Sequence, residues 1–128
     1  MSITPKRLAE KVGKYALSKK AFDIKILDLR KISAVCDFFV ICSANVELHA
    51  QAIADAVLDN LEKEGMEAWH NEGYTTSKWI LLDYVDVVVH IFLKDTRDYY
   101  SLERLWGDAP VMEISEEEQG SSPGKDKL

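Results

Sequence analysis

At 128 residues, 47% hydrophobic and 30% charged, the chain has the size and composition of one soluble domain with a single core. No apolar run approaches the roughly 20 residues a membrane helix needs, and "MSITPKRLAEKVGKYALSKK" lacks the apolar core of a secretory signal, so the expected location is cytoplasmic. The net charge of −6 conceals nine Lys/Arg against three Asp/Glu in residues 1–31, then five against fourteen in residues 32–112. An acidic body repels nucleic acid and suits a basic protein partner, although for any one of these charges a solvated helix face is the better account.

The elements follow in chain order. Thr4-Pro5 predicts an N-cap and first-turn proline, after which Leu8, Val12, Tyr15 and Ala16 recur at helical spacing, with Arg7, Lys11 and Lys14 opposite. "IKILDLR" (24–30) reads as a strand with at least one buried face, and "FFVIC" (38–42), apolar on both sides, as a central strand. Asn45 is the expected cap of a second helix whose stripe is Val46, Ala50, Ile53, Val57 and Leu61, closed by Gly65. "MEAWHNEG", "KWILLD" and "VDVVVHIFL" are three further candidate strands, with the turn-rich "NEGYTTS" between the first two. "DTRDYYSLERLW" predicts one amphipathic helix capped by Asp95, with Tyr99, Leu102, Leu105 and Trp106 at core spacing. The resulting class is α/β or α+β, with helices on a mixed sheet of about five strands. Residues 1–112 form the expected domain. Residues 113–128, acidic and poor in apolar side chains, form an expected disordered tail.

Several chemistries compete for these elements. Asp83 and Asp86 form a D-x-x-D pair beside an apolar strand, a pattern able to hold a metal, flank a turn or ring a docking surface. A regular strand points residues three apart to opposite faces, whereas a two-carboxylate metal site needs both on one side. "SANVELH" lacks the glycine and lysine of a phosphate loop. His49, His70 and His90 are not paired locally with other ligands, so no zinc site is expected, and His90 reads as a core or interface histidine. Cys36 and Cys42 have no C-x-x-C spacing and read as reduced core residues. No nucleophile motif, cofactor or metal is expected.

The aromatic content remains. If 78–83 is a strand, Trp79 and Leu81 share one face and Ile80 and Leu82 the other. One pair fills a core. The other, near Lys78, Asp83 and Asp86, makes an apolar patch with a polar edge, as protein-docking sites do. A sheet covered on both faces would make Trp79 simply core.

Three blocks, "DFFVICSANVELHAQAIADAV", "G-x5-WILLDYVDVVVHIF" and "RDYYSLERLWGDA", resemble in order and spacing the ribosomal silencing factor family, also called Iojap, over nearly all of residues 4–109. The resemblance implies a nucleotidyltransferase-like fold without catalytic equipment. It also implies binding to large-subunit ribosomal protein fourteen, a steric block to subunit joining, and homodimers. Carried over residue by residue, the docking surface falls on Trp79, Leu81, Asp83, Tyr84 and Asp86, with Tyr100 and Glu103 as neighbours. The sequence departs from the family twice. Val85 stands where glycine is usual, which argues against a left-handed turn there, and Ser43-Ala44 replace the usual Thr-Gly. The alternative function is a nucleotidyltransferase-like enzyme or nucleotide-binding module using Asp83, Asp86 and Ser43.

Overall fold

The computed structural model describes residues 3–115. Thr4 Oγ1 accepts the Arg7 N–H at 3.2 Å and Pro5 opens helix α1 (Pro5–Ser18), which buries Leu8, Ala9, Val12, Gly13, Ala16 and Leu17. The chain then forms β1 (Phe22–Asp28), β2 (Phe38–Ala44) and α2 (Glu47–Lys63). Gly65, at φ 86°, ends α2 in a Schellman motif: the Met66 N–H reaches the Leu61 carbonyl and the Gly65 N–H reaches Glu62, both at 2.9 Å. β3 (His70–Glu72), β4 (Trp79–Asp83) and β5 (Val87–Leu93) follow, then α3 (Lys94–Tyr100), α4 (Leu102–Leu105) and β6 (Val111–Ile114).

The six strands form one mixed sheet in the order β3-β4-β5-β2-β1-β6. β2 runs parallel to β5 and antiparallel to β1, and every other pairing is antiparallel. As its apolar run predicts, β2 is central and almost wholly buried. Helices α1 and α2 cover one face of the sheet. There Ile24, Ile26, Val40, Cys42, Ile80, Leu82, Val89 and Ile91 pack with Val12, Ile53, Val57 and Leu61 in the main core. A smaller cluster on the other face holds Leu27, Leu29, Ile41, Phe92 and Ala109. Both cysteines are buried free thiols. Among the described residues no helix is long and apolar enough to cross a membrane.

The sheet has six strands rather than about five. The sixth begins two residues before the expected tail boundary: Glu113 pairs with Lys25 and Ile114 with Ile24, so these two residues belong to an edge strand. Ile114 also packs on Gly13 so closely that a Cβ there would collide with its Cδ1. Residues 116–128 of the expected tail lie outside the described residues.

Asn45 does not cap α2. Val46 occupies the cap position, exposed and without a side-chain cap bond, and it leaves the expected apolar stripe. The His49 ring serves the junction instead. Its Nδ1 accepts the Asn45 N–H at 2.9 Å and its Nε2 donates to the Lys19 carbonyl at 2.7 Å, tying the start of α2 to the end of α1.

The single helix expected over 95–106 is broken at Ser101, whose φ is +47°. Arg97 explains the break. It is 6% exposed, and its Nη2 meets Glu103 Oε2 at 2.9 Å. Six residues apart on one continuous helix, the two side chains would point well apart around the axis; the left-handed residue swings Glu103 back to Arg97. The same break leaves Tyr99 and Leu105 exposed at 81% and 73%, while Leu102 and Trp106 pack on the smaller cluster. Asp95 lies inside the first turn of α3 rather than at its cap.

Candidate docking surface

Alternation along β4 separates its side chains as the sequence predicts. Ile80 and Leu82 are fully buried under the helices, and Trp79 and Leu81 are half-buried on the opposite face. Register builds that face outward. Trp79 sits opposite Phe92, Leu81 opposite His90 and Asp83 opposite Val88. β2 then adds Ser43, Ile41 and Phe39 beside Phe92, His90 and Val88. Phe39, Val88 and Trp106 are half-buried there with Trp79, and Phe39 and Trp106 meet edge-on at 5.9 Å. Phe39, Val88 and Trp106 carry no docking signal of their own in the sequence, whereas His90, which reads there as a core or interface histidine, lies among them. The period-two run Val88, His90, Phe92 carries the signal, but only the register with Trp79 and Leu81 gives it a face.

Trp79 joins core to surface. Its ring lies 4.8 Å from buried Phe92 and 5.0 Å from Tyr100, which meets Tyr99 at 5.0 Å, so four rings run outward from the interior. Its indole N–H donates to His90 Nδ1 at 3.1 Å. Burial holds the His90 imidazole neutral and pushes its pKa down to about 4. Because Nδ1 accepts, the proton of the neutral ring is on Nε2, which is buried and has no partner among the described residues.

The remaining sequence-selected residues divide. Asp83 accepts the Val85 N–H through Oδ1 at 2.8 Å, fastening the turn between β4 and β5. Val85 there has φ +74°, and the Asp86 N–H bonds the Tyr84 carbonyl at 2.9 Å, closing a γ-turn around it. The turn at Val85 therefore has the positive φ that its β-branched side chain argued against. Asp86 is exposed at this turn. Tyr84 is 8% exposed within the helix-side core, its phenol pushed up to about 12 by burial, so it does not share the face of Trp79 and Leu81. Tyr100 borders Trp79. Glu103 is engaged with Arg97 and lies 3.9 Å from Lys25, which makes it a support of α3 and α4.

Asp83 and Asp86 also come near Cys36. Burial first, then the charges of Asp37, Asp83 and Asp86, push that thiol up to about 11, which keeps it unreactive. Ser43 is elsewhere. Its hydroxyl accepts from buried Arg97 Nη1 at 2.8 Å, beside Phe92, whereas the Asp86 carbonyl bonds the N–H of Phe38 at the start of β2. Five residues of strand, about 16 Å, separate the two ends. Ser43 and the two aspartates do not converge. No group of three or more His, Cys, Asp or Glu able to hold a metal occurs among the described residues.

The family model for "Ribosomal silencing factor during starvation" matches residues 2–127. The chain belongs to that family. The ribosomal silencing factor of Bacillus subtilis is 46% identical over 96 residues, covering 75% of this chain and 81% of that one. The chloroplastic Iojap protein of Zea mays is 36% identical over 106 residues, 83% of this chain and 46% of that longer one. Among solved structures, a Chromobacterium violaceum protein superimposes with a TM-score of 0.80 at 28% identity, over 82% of this chain and 88% of its own. A Bacillus halodurans protein does so with a TM-score of 0.75 at 39% identity, over 85% and 99%. The mixed sheet with its helices is therefore shared with both of these solved structures.

Proposed function

We propose that this protein lowers translation by docking on the large ribosomal subunit through ribosomal protein fourteen, and so obstructs joining of the small subunit. The supporting observation is the half-buried face of Trp79, Leu81, Phe39 and Val88, which α3 and α4 cover only in part. An apolar, aromatic patch beside acidic side chains suits a basic protein, and aromatic anchors carry much of the energy at such contacts. Nothing comparable favours nucleotidyl transfer, since Ser43 and the two aspartates stand at opposite ends of β2. Homodimer formation belongs to the same reading, with exposed Tyr99, Tyr100 and Leu105 as apolar surface at hand.

Co-sedimentation with purified large subunits tests the proposal, followed by a subunit-joining assay by light scattering. Binding to large but not small subunits, with joining reduced in proportion, is expected. Failure to pellet with large subunits would refute it, and sedimentation equilibrium of the free chain reads the dimer.

A further inference from the structure

The loop entering β2, the turn between β4 and β5, and the residue before β3 meet at one end of the sheet. Hydrogen bonds lace them together. The Asp37 N–H reaches the Asp86 carbonyl and the Trp69 N–H reaches the Asp83 carbonyl, both at 2.8 Å. This end exposes large apolar side chains: Val35 is 87% exposed, Trp69 74% and Val85 56%. Val85 is the most telling of them. A β-branched residue at φ +74° is strained by an amount that glycine would avoid. Its side chain faces mostly water, so packing within the chain does little to offset that strain. The patch also continues into the candidate docking face, because Asp83 lies opposite Val88.

We infer that this end of the sheet, presenting Val35, Trp69 and Val85, is a second contact area that takes a basic protein segment with an apolar side chain between lysines or arginines. The inference rests on the docking proposed above and extends it beyond the Trp79 face. Charge selects the occupant. Asp37, Asp83 and Asp86 gather around Cys36 with no ion-pair partner among the described residues; the opposing charges are Arg30, which Asp28 holds at 2.7 Å and which also feels Asp37, exposed Lys31, and Arg7 beside Asp86. Carboxylates beside an apolar patch attract a cationic protein and repel phosphates. A partner that covers Val85 also gives its strained side chain the packing it lacks in the free chain.

The test uses the full chain and purified large subunits. Val85→Gly relaxes the positive-φ turn, so a melting temperature at or above the parent's separates weaker binding by that variant from unfolding. Val35→Ser alters a side chain that contributes almost nothing to the core. Each is expected to weaken binding about fivefold, with the melting temperature unchanged or, for Val85→Gly, raised. Leu48→Ser, 77% exposed in the first turn of α2, is the control and should bind like the parent. Parent-like binding by both Val85→Gly and Val35→Ser would overturn the inference and leave the docking proposal standing, as would equal weakening by Leu48→Ser. Loss of a homodimer with unchanged subunit binding would assign this end to a second copy and overturn it too. A parent that fails to bind large subunits would remove both readings together.

Discussion

The indole N–H of Trp79 donates to Nδ1 of His90 across neighbouring strands at 3.1 Å, so the residue most suited to docking is also hydrogen-bonded to a buried histidine. An imidazolium cannot accept that bond. Burial lowers the His90 pKa to about 4, and protonation would in addition break the Trp79 contact.

Stability should fall with acid in a definite window. The unfolded histidine takes up a proton near pH 6.5 and the folded one only near 4. The contribution is whole above pH 7, is reduced by about 2 kcal/mol at pH 5, and is lost to about 3 kcal/mol below pH 4. Urea titrations of the parent and of His90→Gln at pH 7 and pH 5 measure it: the parent should lose about 2 kcal/mol more than the variant. Parallel losses would show that His90 is accessible to protons in the folded chain.

Trp79→Ala should destabilise as well as weaken docking, because the ring packs on Phe92 and Tyr100 and its loss leaves His90 Nδ1 unpartnered. A cost of about 3 kcal/mol fits a partly buried tryptophan. Leu81→Ser separates the two effects. Leu81 is half-buried beside His90 at less structural cost, so subunit binding should drop about tenfold while the melting curve moves little. Pelleting assays with both variants, beside thermal melts, provide the comparison.

Arg97 holds α3 and α4 on the sheet. Its Nη1 donates to the Asp23 carbonyl at 2.7 Å and to Ser43 Oγ at 2.8 Å, while Nη2 reaches Glu103. Arg97→Ala leaves three acceptors without their donor and should cost about 3 kcal/mol in chemical denaturation. Arg97→Lys should recover only part of this, since one ammonium cannot span the forked geometry. Full recovery by lysine would mean that charge alone suffices.

Asp83→Asn with Asp86→Asn should slow association with large subunits and flatten its salt dependence, because charges at a rim act mainly through steering. The amide oxygen that Asp83→Asn introduces can still accept the Val85 N–H, so the turn is expected to survive. Stopped-flow association at several salt concentrations gives the slopes, and equal slopes would count against an acidic surface meeting a basic partner.

Two truncations locate the end of the folded unit. Ending the chain after Ser115 keeps β6 and should leave the melting temperature nearly unchanged, because residues 116–128 offer little apolar surface to bury. Ending it after Pro110 removes the strand paired with β1 and the Ile114 contact on Gly13, and should cost about 2–3 kcal/mol. Equal melting temperatures for the two would mean that β6 contributes nothing.

The sequence by itself determined what depends on neighbours a few residues apart. Thr4-Pro5 started α1, Gly65 ended α2, alternation assigned Trp79 and Leu81 to one face of β4, and the apolar run of β2 made it central. The three separated blocks were also enough to recognise the family. The tertiary structure decided whatever needed a distant partner. Nothing local marks Arg97 for burial, because its acceptors lie 74 and 54 residues away at Asp23 and Ser43. The break at Ser101 follows from that burial. β6 is only four residues long, and although Val111, Met112 and Ile114 are apolar, its place is decided by the edge that β1 offers it and by the contact of Ile114 with the main core. Val85 argued locally against a left-handed turn, yet the pairing of β4 with β5 and the bond from its N–H to Asp83 hold it there. Tyr84 lies on the face of Ile80 and Leu82, as the same alternation extended by one residue would place it, and the tertiary structure adds only the helices that bury it there. Local pattern sets which side chains share a face, and only long-range packing decides what covers that face and which polar groups are buried beneath it.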